Sequence, residues 1–178
     1  VTPRQSRVDV NQVGDAGSIL AIVAPGFKAG DLHSATGRVQ KNGFAVKIAS
    51  TVESLVEGEG DKGDTLSFVV DSGLADIDPA NYFGLVIPGG QRHLSTLDDN
   101  ENVEKAVRSF IDAKKPVLAW ADAARFLAAF SRTPDAIRDA RAAVAVNGEV
   151  YPAETDEARD DAAEVFMKAL SLTDGKAA

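Results

Sequence analysis

Lys115-Pro-Val-Leu-Ala-Trp-Ala-Asp-Ala-Ala-Arg-Phe-Leu-Ala-Ala-Phe130 is the stretch whose reading decides the fold. Val117 to Ala119 is a short apolar run with the pattern of a buried strand, Trp120-Ala121-Asp122 is a sharp turn, and the Ala- and Leu-rich residues beyond it favour a helix. Many α/β enzymes carry an exposed nucleophile on a strand-to-helix turn of this kind. The tip here is Ala121, whose methyl group has no lone pair to attack a carbonyl and no proton to give up. The stretch specifies an architecture and removes one class of reaction from it.

Upstream, Tyr82 to Ile87 reads as another buried strand, ended by Pro88-Gly89-Gly90. Two adjacent glycines there either let backbone N–H groups approach a ligand or form a plain tight turn. Ile19 to Ala24 is a continuous apolar run, the pattern of a central parallel strand covered on both faces, and Pro25-Gly26 stops it. From Gly30 to Asn42, Leu32, Ala35, Thr36 and Val39 recur at helical spacing, with Asn42-Gly43 as the stop. Phe44 to Ala49 is a second strand, so strand, helix and strand form a βαβ unit with a parallel pair.

Glu53 to Asp64 reads as a flexible acidic loop. It holds a literal G-x-G-x-x-G at Gly58, Gly60 and Gly63. Acidic side chains surround these glycines and no apolar helix follows, so pyrophosphate binding is rejected. Leu66 to Val70 is a short strand expected within the same layer. Asp98 and Glu101 have capping-box spacing for a helix through Val103, Val107, Phe110 and Ile111, and the acids there read as cap rather than metal site. Downstream of the elbow, Pro134-Asp135 opens a short helix or turn. Asn147-Gly148 between apolar residues signals a hairpin over Ala143 to Tyr151, and Asp156 to Leu172 forms a closing helix. One domain over residues 19–172 is expected, with tails at 1–18 and 173–178.

The 178 residues, 44% hydrophobic, suffice for one domain with a real core. Nineteen basic residues against 27 acidic ones leave a formal charge of -8, which repels nucleic acid and anionic lipid. No apolar run approaches the roughly 20 residues that span a bilayer, and no signal segment opens the chain, so a cytoplasmic protein is expected. There is no cysteine, and His33 and His93 are the only histidines. Disulfides, thiolate chemistry and multi-imidazole metal sites are thereby removed, and no cofactor or metal is expected. Trp120 reads as a core or interface anchor, His93 as a surface or capping residue, and Arg125 as the partner of a nearby acid.

Taken together, Ile19–Ala24 with Pro25-Gly26-Phe27, Gly43-Phe44-Ala-Val-Lys-Ile48, Leu85-Val-Ile-Pro-Gly-Gly90 and Lys115-Pro-Val-Leu-Ala-Trp-Ala-Asp122 resemble the ThiJ/PfpI branch of the class I glutamine amidotransferase-like superfamily. The likeness runs in order over about residues 19–130. It implies an α/β three-layer sandwich with a mostly parallel central sheet, flavodoxin-like in kind. The family places a cysteine at the elbow tip, usually a histidine after it, an acid from the first helix beside it, and an anion pocket in the diglycine loop. Those positions fall on Ala121, Asp122, Asp31, and Gly89 with Gly90. Asp122 and the lack of any other cysteine favour natural replacement over an engineered Cys→Ala change, and Asp122 reads as a helix cap before it reads as half of a carboxylate pair.

Within the superfamily, Leu118-Ala-Trp-Ala-Asp-Ala-Ala-Arg-Phe126 is most similar to the C-terminal domain of large-subunit haem catalases, which also lacks the cysteine. Val1 is not methionine, so the chain reads as a trimmed fragment or as a stand-alone relative that has lost its initiator. The resemblance implies a non-catalytic domain acting in oligomer assembly, stability or chaperone-like interaction, with a homo-oligomer as its partner state. A second expectation is a small-molecule or anion site in the degenerate pocket, with Gly90 and Asp122 N–H groups as donors. A third, a stress-related hydrolase or deglycase without cysteine, would rely on Asp31 or a serine, and no G-x-S-x-G motif supports it.

Overall fold

The structure, a computed structural model, describes residues 17–98, 100–153 and 158–177. The expected N-terminal tail therefore lies outside the described residues up to position 16, and Gly17 and Ser18 already belong to the first strand. The elements in chain order are β1 (Gly17–Val23), β2 (Phe27–Lys28), α1 (Ala29–Lys41), β3 (Phe44–Ser50), β4 (Leu55–Glu59), β5 (Thr65–Val69), β6 (Ser72–Gly73), β7 (Leu85–Ile87), α2 (Gln91–Asp98), α3 (Glu101–Asp112), β8 (Val117–Trp120), α4 (Arg125–Ala128), α5 (Pro134–Arg138), β9 (Ala142–Val146), β10 (Glu149–Ala153) and α6 (Ala158–Ala177). The last helix takes in residues 173–177, which the hydrophobic pattern leaves in a tail.

Seven strands form one sheet in the order β10-β9-β8-β7-β1-β3-β6. β8, β7, β1, β3 and β6 run parallel, and β9 and β10 are antiparallel additions at one border. Apolar runs such as Ile19–Val23 suit this sheet because both of its faces are covered. Ile19, Ala21 and Val23 point to one face, against Leu32, Ala35 and Val39 of α1 and Phe166 and Leu170 of α6. Leu20 and Ile22 point to the other, against Leu94, Val107, Phe110 and Leu127 of α2 to α4. Helices above, sheet between and helices below are the three layers the sequence implies.

Readings in three regions are corrected. Glu53 to Asp64 is not a loop throughout, since Leu55–Glu59 is β4, paired antiparallel with β5. These two strands and β2 make a separate three-stranded sheet, so Leu66 to Val70 does not lie within the main layer. The glycines of the G-x-G-x-x-G serve this hairpin. Gly58 sits in β4 under the Phe27 ring, where a Cβ would be 2.7 Å from Cζ, and Gly63 N–H donates to the Gly60 carbonyl across the tip at 3.0 Å.

Secondly, Asp98 is not an N-cap. It ends α2, a helix the pattern does not announce, and Asn100 caps α3 by accepting the Asn102 N–H at 2.9 Å. Thirdly, His93 is neither on the surface nor a cap, because it is fully buried.

The Asn147-Gly148 hairpin is present as expected, with φ of 54° and 87°, the left-handed pair that a two-residue turn requires. β10, the outer strand it leads to, carries Pro152, and the opposite border is the two-residue β6.

Candidate functional site

In open α/β sheets, ligands bind beyond the carboxyl ends of the strands, where the chain order reverses direction across the sheet. Here that point lies between β1, which is followed through α1 by β3 on one side, and β7, which continues to β8 on the other. Two loops meet there, residues 24–27 after β1 and residues 88–90 after β7.

They are tied closely. Lys28 N–H donates to the Gly89 carbonyl at 2.9 Å. A Cβ on Gly90, whose φ is +124°, would stand 2.8 Å from the Gly26 carbonyl oxygen and 3.2 Å from Phe27 Cα. Gly90 is thus glycine for two independent reasons, a left-handed backbone and a neighbouring chain within van der Waals reach.

His93 spans the same junction from the first turn of α2. Its Nδ1 accepts the Ala24 N–H at 3.0 Å, and its Nε2 lies 2.7 Å from the Pro88 carbonyl oxygen. A carbonyl can only accept, so Nε2 carries the proton and the ring is the neutral tautomer. Burial pushes its pKa down from 6.5 to about 4, against a smaller upward pull from the Pro88 carbonyl. The ring also packs beside Phe27, with centroids 6.1 Å apart. With both nitrogens engaged and no solvent exposure, His93 is a strut between two strand ends and not a catalytic base. The sequence offered one signal for this, a histidine within one helical turn of a diglycine.

Asp31 lies in the first turn of α1, is only 4% exposed, and accepts the Gly89 N–H on Oδ2 at 3.0 Å. The structure therefore brings Asp31, Gly89 and Gly90 together, as the resemblance implies. The Gly89 donor, however, is directed at Asp31 instead of at an open pocket.

Ala121 follows β8 and begins a 3-10 turn over Ala121–Ala124 that runs into α4. Ile87 is paired with Ala119, and Gly89 and Ala121 each stand two residues beyond that pair, so the elbow emerges beside the diglycine loop. Asp122 is exposed and lies inside the turn, whose N-cap is Trp120. Trp120 is 1% exposed and joins the core under α1 and α6, the anchor role expected of it. Arg125 pairs with Asp98, the nearby acid its position called for.

Chemically, the junction offers a buried carboxylate bound to a backbone N–H and a neutral imidazole with both nitrogens occupied, beside an elbow turn whose first residue is alanine in a chain with no cysteine. Among the described residues no group of histidines and carboxylates is arranged to hold a metal ion. Nor is any helix there long and apolar enough to cross a membrane.

Residues 17–135 match the model of the DJ-1/PfpI family. No curated protein sequence matches the chain. Among solved structures, a ThiJ/PfpI domain protein from Brachyspira murdochii superposes with a TM-score of 0.68 at 14% identity, covering 88% of this chain and 97% of that one. Oxidized DJ-1 from Toxoplasma gondii gives 0.63 at 16% identity, covering 90% and 97%. A two-domain protein from Anabaena variabilis, with DJ-1/ThiJ/PfpI-like and ferritin-like domains, gives 0.69 at 14% identity, covering 87% of this chain and 48% of that one. At these identities the structural likeness speaks for the fold alone.

Proposed function

The chain belongs to the DJ-1/PfpI family, and we propose that it is a non-catalytic member, a cytoplasmic domain whose work is oligomer assembly, stability or chaperone-like interaction, in the manner of the catalase C-terminal domain it resembles. The observation that carries this reading is alanine at position 121, at the turn beside the diglycine loop, in a chain with no cysteine. Two further facts support it. Asp31 is engaged with the Gly89 N–H, and His93 has no nitrogen left for proton transfer. Peptidase, glyoxalase and deglycase assays on the purified protein should read background, while sedimentation should find more than one copy per particle. Turnover that Asp31→Ala abolishes would overturn the non-catalytic reading, and a monomer at all concentrations that protects no client protein from aggregation would overturn the assembly role.

A second reading keeps the junction as a small-molecule or anion site, favoured by its place at the reversal point of the sheet. Thermal-shift screening against small metabolites tests it, since a ligand at a hundredfold excess over its Kd stabilises by about 2.7 kcal/mol.

A further inference from the structure

We propose that β5 is an interaction edge whose partner is β5 of a second copy, the two strands pairing antiparallel about a two-fold axis at Ser67 so that their small sheets become one. The inference rests on the assembly reading above and gives that assembly a surface.

In the three-stranded sheet β4 is central, so β2 and β5 are its borders. β2 has two residues, and its Lys28 N–H already donates to the Gly89 carbonyl. β5 has five, Thr65-Leu-Ser-Phe-Val69, with neither a proline nor a charged side chain, the devices that commonly blunt an exposed edge. Its ladder to β4 fixes which backbone groups are engaged. Gly60 N–H donates to the Asp64 carbonyl at 2.8 Å and Val70 N–H to the Ser54 carbonyl at 2.9 Å. Even-numbered residues of β5 therefore bond to β4, and Thr65, Ser67 and Val69 turn their N–H and carbonyl groups outward. Among the described residues no strand pairs with that side, and Thr65 and Ser67 are exposed.

The outward row selects both partner and register. Antiparallel edges exchange hydrogen bonds only where outward residues meet outward residues. Setting Ser67 opposite its own copy sets Thr65 opposite the other Val69, and no other register engages all three outward residues of both chains, in about six hydrogen bonds. The same register sets Leu66 opposite Phe68 of the second copy, an aromatic–aliphatic pair of the kind that stabilises sheets. Phe68 belongs to the core cluster and Leu66 packs against it, so the apolar layer would continue across the axis. On the other face Leu55, 55% exposed, stands beside Val69 and gains the copy's Thr65 as its next neighbour. A strand edge that satisfies itself in this way suits an isologous contact.

The chain has no cysteine, so one introduced thiol reports only on the contact it makes. Ser67→Cys sets two thiols across the axis with Cα atoms about 5.5 Å apart, inside disulfide range. Thr65→Cys faces Val69 instead and lies beyond the roughly 7 Å limit from its own copy. Asp64 and Asp71, just beyond the ladder, bring acids near acids at its ends, so the full chain is studied at roughly 0.3 M salt, where the Debye length is about 6 Å. Under a mild oxidant Ser67→Cys should give a covalent dimer, Thr65→Cys alone about tenfold less, and Thr65→Cys mixed with Val69→Cys a mixed dimer. Sedimentation of the cysteine-free protein should show a concentration-dependent dimer. Ser67→Pro, whose lost N–H faces away from β4, should weaken it about tenfold or more. Ser67→Lys, which keeps the backbone donor but sets two ammonium groups face to face, should do the same. Equal linking at positions 65 and 67 would overturn the proposal. A particle of several copies that Ser67→Cys fails to link, or that neither Ser67→Pro nor Ser67→Lys loosens, would overturn this edge and leave the assembly reading standing. A monomer at every concentration would overturn the edge together with the homo-oligomer it serves.

Discussion

Replacing His93 with glutamine tests the strut directly. In the folded protein the ring stays neutral down to about pH 4, whereas in the unfolded chain it takes a proton near its ordinary value of 6.5. Between those values the unfolded state binds more protons, so acidification favours unfolding. The His93 contribution is complete above about pH 6.5 and is lost progressively as pH falls towards 4. The loss amounts to about 2.5 kcal/mol at pH 4.5, about 3 kcal/mol at pH 4, and levels off near about 3.4 kcal/mol at lower pH. Glutamine can still donate to the Pro88 carbonyl and accept from the Ala24 N–H, but it does not titrate. Urea unfolding of both proteins at pH 7, 5.5 and 4.5 isolates the effect, because carboxylates that titrate over the same range are common to both and cancel. At pH 7 the variant should be less stable by about 1 to 2 kcal/mol through lost packing. By pH 4.5 the two midpoints should have converged or crossed, a relative movement of roughly 1 M urea. Midpoints that fall in parallel from pH 7 to 4.5 would refute the buried neutral ring.

Asp31→Ala leaves the buried Gly89 N–H without its acceptor and should cost about 2 kcal/mol, read as a melting temperature lower by roughly 4 to 8 °C. Gly90→Ala forces a side chain into a left-handed position against the Gly26 carbonyl and should destabilise by about 2 kcal/mol or more in denaturant melts. Gly37→Ala should do the opposite, because Gly37 is exposed within α1 with nothing near its missing Cβ, and a gain of about 0.5 to 1 kcal/mol is expected in the same assay. Trp120→Ala empties the largest fully buried side chain in the core and should cost about 3 to 5 kcal/mol by urea unfolding.

How much of this was legible in the sequence varies with the kind of interaction. The central strands were readable because a strand buried on both faces must be apolar throughout, as Ile19–Val23 and Val117–Trp120 are. The last hairpin was readable because Asn147-Gly148 meets a strict backbone requirement. β4 was not, since its burial alternates over Leu55–Glu59 and its inward positions are Val56 and Gly58. Glycine carries no hydrophobic signal, and here it makes room for Phe27, 31 residues away in sequence. α2 was hidden because it begins directly from the Gly90 bend, without a Ser, Thr or Asp ahead of it. Of the junction, Asp31, Gly89, Gly90 and Ala121 could be placed by motif resemblance, whereas the His93 bridge depends on partners 69 and 5 residues distant, which no local pattern encodes.

The borders of the large sheet bear on how copies of this protein could meet. On an edge strand, proline stands where the absent N–H would have faced outward, so Pro152 takes a donor from the row that a foreign strand would need. At the far side β6 offers two residues, too short a template for pairing. Fibre-like growth through backbone ladders along this sheet is disfavoured at both borders, and an interface built on it would rest on side-chain chemistry, where partners can be chosen.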